Sequence, residues 1–251
     1  MMRKQKNDVN LILFLLIAFL LPLVSVAAQT MIPSASIRLI LFGIQAAAPT
    51  ISAVLLLCFR KELKTRLAPM FHWNRLHMAV ILPTIIAFVT IGFSKLIYCV
   101  LSGSHFIAGS LSVTQTVIIL WALVAEEIGW RGYLEPLLRE DGVPRRFIPC
   151  ITGCIWCLWH YHFFFQNGTQ IPVGLFFIGC IIESYIYSFL IHITNYNIIS
   201  AMTYHFMWNL WTHIFAINPA DNYGSILPHI ILIIAEALLL PVLHRKSAKS
   251  V

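Results

Sequence analysis

The sequence predicts an all-α, polytopic membrane helical bundle of about eight transmembrane helices. Three observations predict it: the oiliness of the chain, the length of its apolar runs and the placement of its positive charge. Of 251 residues, 59% are hydrophobic and 11% are charged, whereas a soluble domain carries about a quarter charged residues. Crossing a hydrocarbon core of about 30 Å takes roughly 20 helical residues, and apolar runs near that length recur along the whole chain. Lysine and arginine collect in alternate loops, as they do where positive charge is retained on the cytoplasmic side.

The runs are read, in order, at 9–29, 37–59, 76–101, 112–135, 147–166, 172–193, 198–217 and 225–243. The first has a basic start and the small triplet Ser25-Val26-Ala27 before Ala28, the outline of a secretory signal; it is taken here as a retained span. The second, third and fifth are apolar almost throughout. The fourth carries charge in its middle, the sixth ends in a nearly uncharged turn, and the eighth closes the bundle.

Between them the loops alternate in charge. Arg3, Lys4 and Lys6 precede the first span, and Arg60, Lys61, Lys64, Arg66 and Arg75 follow the second. Arg139, Arg145 and Arg146 follow the fourth, and Arg245, Lys246 and Lys249 follow the eighth. Fourteen of the seventeen basic residues thus fall on one side; the opposite loops offer only Arg38, and Lys95 and Arg131 lie within spans. Eight crossings with both termini in the cytoplasm follow. The formal net charge of +7 is accounted for by topology and by anionic lipid head groups, so the expected partner is a lipid bilayer and no nucleic acid. The six cysteines, Cys58, Cys99, Cys150, Cys154, Cys157 and Cys180, lie within or at the edges of spans and read as small apolar packing residues. No linker or repeat interrupts the pattern, so residues 1–251 read as one membrane domain.

Ionisable side chains inside such spans cost on the order of 2.5–3.5 kcal/mol each by insertion scales and therefore face protein or water. They are Lys95, Glu126, Glu127, Arg131, Glu183 and Glu236, with several histidines. Lys95 is expected to pair with an acidic neighbour, and Glu236 to snorkel or cap a polar contact. Glu126 and Glu127 are consecutive, so on a helix they point about 100° apart and cannot share one partner. Glu127 and Arg131 stand four apart, acid first, the favourable order for an ion pair. Glu126 is left without a partner in its own helix and becomes the candidate general base.

Two later spans carry candidates to complete a site. In "CIWCLWHYHFF", Trp156 and His160 share a face, so the indole can orient the imidazole, while His162 lies on another; in "AMTYHFMWNLW", His205 and Asn209 project together at i and i+4. At a 1.5 Å rise per residue, Glu126, His160 and His205 lie roughly 13, 20 and 10 Å from the cytoplasmic ends of their spans, close enough in depth for one polar layer. A carboxylate, two imidazoles and a carboxamide gathered there suit hydrolysis. Glu126 with His160 would activate a water, and His205 with Asn209 would donate to an oxyanion.

The element Glu126-Glu127-Ile128-Gly129-Trp130-Arg131-Gly132, followed by an aromatic-x3-His element and a His-x3-Asn element on later spans, resembles the CPBP family of intramembrane proteases. That family includes CAAX-processing endopeptidases and bacteriocin-processing or immunity (Abi-like) proteins. The resemblance covers 112–217, which it implies to be a catalytic core. It implies cleavage of a membrane-associated or prenylated-type peptide or protein substrate near the cytoplasmic face by a glutamate-activated water. Glu126 would be the base, His160 its partner and His205 with Asn209 the oxyanion site, with Glu127 and Arg131 in support. Trp156 departs from the family, which more often has phenylalanine there. The alternative function is a non-catalytic bacteriocin self-immunity protein.

No cofactor is favoured. Zinc is the alternative, with Glu126, His160 and His205 as a carboxylate and two imidazoles, but the His-Glu-x-x-His signature is absent. The Cys154, Cys157 and His160 spacing winds around its helix and reads as packing.

Overall fold

The computed structural model describes residues 2–106, 108–166 and 170–248, with side chains described for 8–106, 108–166 and 170–243. Among the described residues the chain is helical, with no strand. The helices are α1 (Met2–Met31), α2 (Ala35–Ala46), α3 (Ala48–Phe59), α4 (Leu76–Ser102), α5 (Val113–Ala125) and α6 (Glu127–Gly129). A π-helical turn, Trp130–Leu134, leads into α7 (Glu135–Glu140), followed by α8 (Ile148–Trp159), α9 (Tyr161–Phe165), α10 (Val173–Ile193), α11 (Ile199–Ile214) and α12 (Leu227–Ala248).

All eight predicted runs are helical, but their continuity differs from the expectation. Four stretches are long and apolar enough to cross a membrane: Asp8–Met31, Leu76–Ser102, Val113–Glu140 and Val173–Ile193. The second run is bent by 65° between α2 and α3. Pro49, at the start of α3, lacks the N–H that would continue the ladder, which accounts for the bend. The fifth run breaks at His160. The α8 helix of 12 residues and the α11 helix of 16 are about 18 and 24 Å long, shorter than a full crossing. The terminal basic side chains used for orientation, Arg3, Lys4, Lys6, Arg245, Lys246 and Lys249, lie outside the described residues.

Large apolar side chains are exposed on the outside of the bundle, and polar ones are buried within it. One side of α4 exposes Ile81, Ile85, Val89, Phe93, Leu96 and Val100, while its buried side holds the polar Thr90, Ser94 and Lys95 beside Ala79, Ala87, Ile86, Ile91 and Tyr98. That inversion suits a lipid solvent, in which apolar surface is free to face outward and polar groups must find partners inside. Lys95 finds them, though not as expected: its Nζ donates to Asn222 Oδ1 at 2.8 Å and to the Ala216 carbonyl at 3.1 Å. It thereby ties α4 to the loop that follows α11, through an amide and a carbonyl oxygen. Glu236 does cap a polar contact, accepting from Trp208 Nε1 at 3.1 Å and Tyr204 Oη at 3.4 Å.

Two glycines set the distances that position the site. At Gly129 an added Cβ would lie 2.5 Å from Pro49 backbone and ring atoms, so α6 sits directly on the start of α3. At Gly153 it would lie 2.7 Å from Ile181 Cα and 2.8 Å from the Cys180 carbonyl, so α8 meets α10 backbone to backbone. Gly153→Ala is expected to lower the thermal unfolding midpoint of the purified protein, at about 1–3 kcal/mol for overpacking. Gly174→Ala, where an added Cβ meets nothing within 4 Å, is expected to leave the midpoint in place.

Candidate active site

The fourth run starts on a capping box. Ser112 Oγ accepts from the Gln115 N–H, and Gln115 Oε1 accepts from the Ser112 N–H at 2.8 Å, which fixes where α5 begins. Its end is less regular than a helix. Ala125 closes α5, Glu126 takes φ −123°, ψ −42°, and its carbonyl accepts the Gly129 and Trp130 N–H groups at 2.9 and 3.0 Å. The reading of Glu126 and Glu127 as neighbours on one continuous helix is therefore corrected. The regular helix is interrupted at Glu126, so its side chain and that of Glu127 are not related by the rotation of one unbroken helix.

Glu127 is fully buried and has the ion pair its spacing predicts. Arg131 Nη1 lies 3.1 Å from both of its oxygens. Arg131 also donates through Nη2 to Ser184 Oγ at 3.0 Å, and its guanidinium lies over the Tyr187 ring at 3.9 Å and the Trp156 ring at 4.9 Å. Glu127 has a second task that the sequence reading did not give it. Its Oε1 accepts from His205 Nδ1 at 2.7 Å, so one carboxylate neutralises the arginine and fixes the tilt and tautomer of an imidazole.

Glu126 is 7% exposed and is not unpartnered. Its Oε2 accepts from Trp156 Nε1 at 2.6 Å and from Trp130 Nε1 at 3.3 Å, while its Oε1 lies 3.9 Å from His205 Nε2. Its hydrogen-bond partners are thus two indoles rather than His160. His160 caps the end of α8, its Nδ1 donating to the Trp156 carbonyl at 2.8 Å. Because a carbonyl can only accept, that bond places the proton on Nδ1 and leaves the Nε2 lone pair free. The Trp156 ring packs edge-on against the imidazole, at 5.5 Å between centroids, as the shared face predicted. His162 points elsewhere, accepting from Gln45 Nε2 at 2.6 Å, and is a structural link between α2 and α9. Asn209 Nδ2 donates to the His205 carbonyl at 3.0 Å.

Glu126, His160, His205 and Asn209 line one cavity of about 250 Å³, walled by Phe42 and Ala46 of α2 and by the inner face of α5. Gln115 and His213, which the sequence reading passed over, also line it. His213 could have been found as the next i+4 step after His205 and Asn209. Glu126, His160 and His205, the alternative zinc set, line the same cavity, but among the described residues no group of three histidine, cysteine, aspartate or glutamate side chains stands close enough to hold a metal ion, Cys154, Cys157 and His160 included.

Residues 108–211, which include all four cavity-lining candidates, match the model of the type II CAAX prenyl endopeptidase Rce1-like family. A curated relative, CAAX prenyl protease 2 of Methanococcus maripaludis, is 28% identical over 133 residues, covering 49% of this chain and 48% of that protein. The chain thus spans about half the length of the curated relative it matches. Over residues 108–211 the chain is thus similar to the CAAX prenyl endopeptidases of the Rce1-like family.

Proposed function

We propose that this chain is an intramembrane endopeptidase that hydrolyses a peptide bond of a membrane-associated, prenylated-type peptide with a glutamate-activated water. One observation carries the reading: four side chains drawn from three separate runs line a single cavity, and they are the set that hydrolysis requires. The substrate class follows the name of the Methanococcus relative, a CAAX prenyl protease. Residues 112–217 form the catalytic core on this reading, and both termini lie in the cytoplasm, on the side where the basic loops collect.

Glu126 Oε1 takes a proton from water, and the resulting hydroxide bonds to the carbonyl carbon of the substrate. The Nε2 lone pair of His160 accepts the water's other proton as a hydrogen bond and aims the attacking oxygen. With a carboxylate facing each ring nitrogen, His205 can carry both protons and donate through Nε2 to the developing oxyanion. Asn209, with one amide N–H on the His205 carbonyl, supplies its second. The proton held by Glu126 passes to the departing nitrogen, the C–N bond breaks, and a carboxylic acid and an amine result.

The test is cleavage of a synthetic farnesylated CAAX peptide by the purified protein, followed by mass spectrometry. Release of a C-terminal fragment, persisting after exhaustive chelation in protein shown to hold no zinc, is the expected result. Cleavage lost on chelation and restored by zinc would overturn the metal-free mechanism. Binding without any cleavage would overturn the enzyme reading in favour of immunity by sequestration.

A further inference from the structure

Glu126 sits where the helical ladder is interrupted, so its backbone alone does not aim its carboxylate. The two oxygens have different surroundings. Oε2 takes the Trp156 indole N–H at 2.6 Å and that of Trp130 at 3.3 Å, whereas Oε1 takes neither and faces His205 Nε2. Trp156 itself is 5% exposed and hemmed in by Arg131 over its ring and by the rings of Tyr187 and His160, 5.8 and 5.5 Å away. An indole so packed cannot swing its N–H elsewhere without displacing the arginine that neutralises Glu127. The main chain of the same residue holds His160, whose Nδ1 donates to its carbonyl at 2.8 Å.

We infer that Trp156 is a positioning residue for the proposed hydrolysis: its indole N–H holds Glu126 Oε2, leaving Oε1 as the proton-accepting oxygen, while its carbonyl sets the neighbouring imidazole. The inference rests on the proposed function for its consequence in catalysis, and on geometry alone for the clamp. Phenylalanine at 156 keeps an aromatic ring and the carbonyl but has no N–H, so Trp156→Phe removes the clamp selectively. Trp130 contributes less, because its N–H is further away and its ring is fixed by Phe14 and Trp159 rather than by the site.

The experiment pairs kinetics with ultraviolet resonance Raman spectroscopy, which reads the strength of hydrogen bonding at indole N–H. In Trp156→Phe, kcat for the farnesylated peptide is expected to fall about tenfold to a hundredfold, the scale of a lost hydrogen bond to a charged group, with KM within about twofold. The bonded indoles of Trp121, Trp159 and Trp208 remain in every variant, so the readout is the difference spectrum: the contribution of one strongly bonded indole should be lost from both Trp156→Phe and Glu126→Ala relative to the wild type. A wild-type kcat in folded Trp156→Phe overturns the inference, as does a difference spectrum in which either substitution leaves the strongly bonded indole contribution unchanged. If Trp156→Phe fails to fold, the Glu126→Ala comparison decides the clamp by itself. A wild-type protein that cleaves nothing removes the proposed function, while the spectra still report whether Trp156 holds Glu126.

Discussion

Glu126→Gln is expected to lower kcat/KM for a prenylated peptide by about 10²–10⁴-fold, the usual contribution of a positioned general base, with little change in the unfolding midpoint. The substitution preserves volume, and the amide oxygen of glutamine can still accept the Trp156 and Trp130 N–H groups that now end on Oε2. What it removes is the capacity of the other oxygen to take a proton. Steady-state cleavage and thermal unfolding of the same preparation separate these effects. Cleavage at the wild-type rate would sink the mechanism outright, because no other carboxylate lines the cavity among the described residues.

Arg131→Met is expected to be the most destabilising single substitution in the site. The side chains of Arg131 and Glu127 are both 0% exposed, and removing one member of a buried pair costs about 3–5 kcal/mol because the other is left charged and unpaired. The double variant Glu127→Gln/Arg131→Met should unfold at a higher temperature than Arg131→Met alone, since the charge of Glu127 is then not stranded and only Glu135, 3.9 Å from Arg131 Nε, loses its cation. It should still cleave poorly, because His205 Nδ1 would donate to a neutral amide in place of a carboxylate. Thermal unfolding of the wild type and the two variants checks the ordering. A wild-type midpoint for Arg131→Met would show that the ion pair does not hold this part of the bundle.

The membrane character was legible because it rests on run length and charge placement, which need no tertiary information. The Glu127–Arg131 pair was legible for a related reason: an i, i+4 spacing survives the passage from α6 into the π-helical turn. The orientation of Glu126 was not. The 100° argument presupposes an unbroken helix, whereas the helix is interrupted at Glu126, close to where Gly129 packs against Pro49, a residue distant in sequence. Trp130 could have been found by the same i+4 rule, but the Trp156 bond depends on how α8 lies against α6, which no local spacing encodes. Lys95 was expected to seek a carboxylate, yet an amide and a carbonyl oxygen in the loop after α11 reach it first. Span continuity was misjudged where hydropathy stays high across a turn, as at Ala47 and His160, because a bend leaves no trace in an apolar average.

The 65° bend between α2 and α3 divides labour within what hydropathy reads as one segment. On one side of it, Pro49 presses against Gly129 and so helps set the turn that presents Glu126. On the other, Phe42 and Ala46 face the cavity, away from the Pro49–Gly129 contact. Changes in the size of those two wall residues therefore have a route to altering which side chains the cavity admits while leaving the acid where it is. Reactivity and selectivity are, in this architecture, separately adjustable, and a library confined to α2 would vary the second with the first held constant.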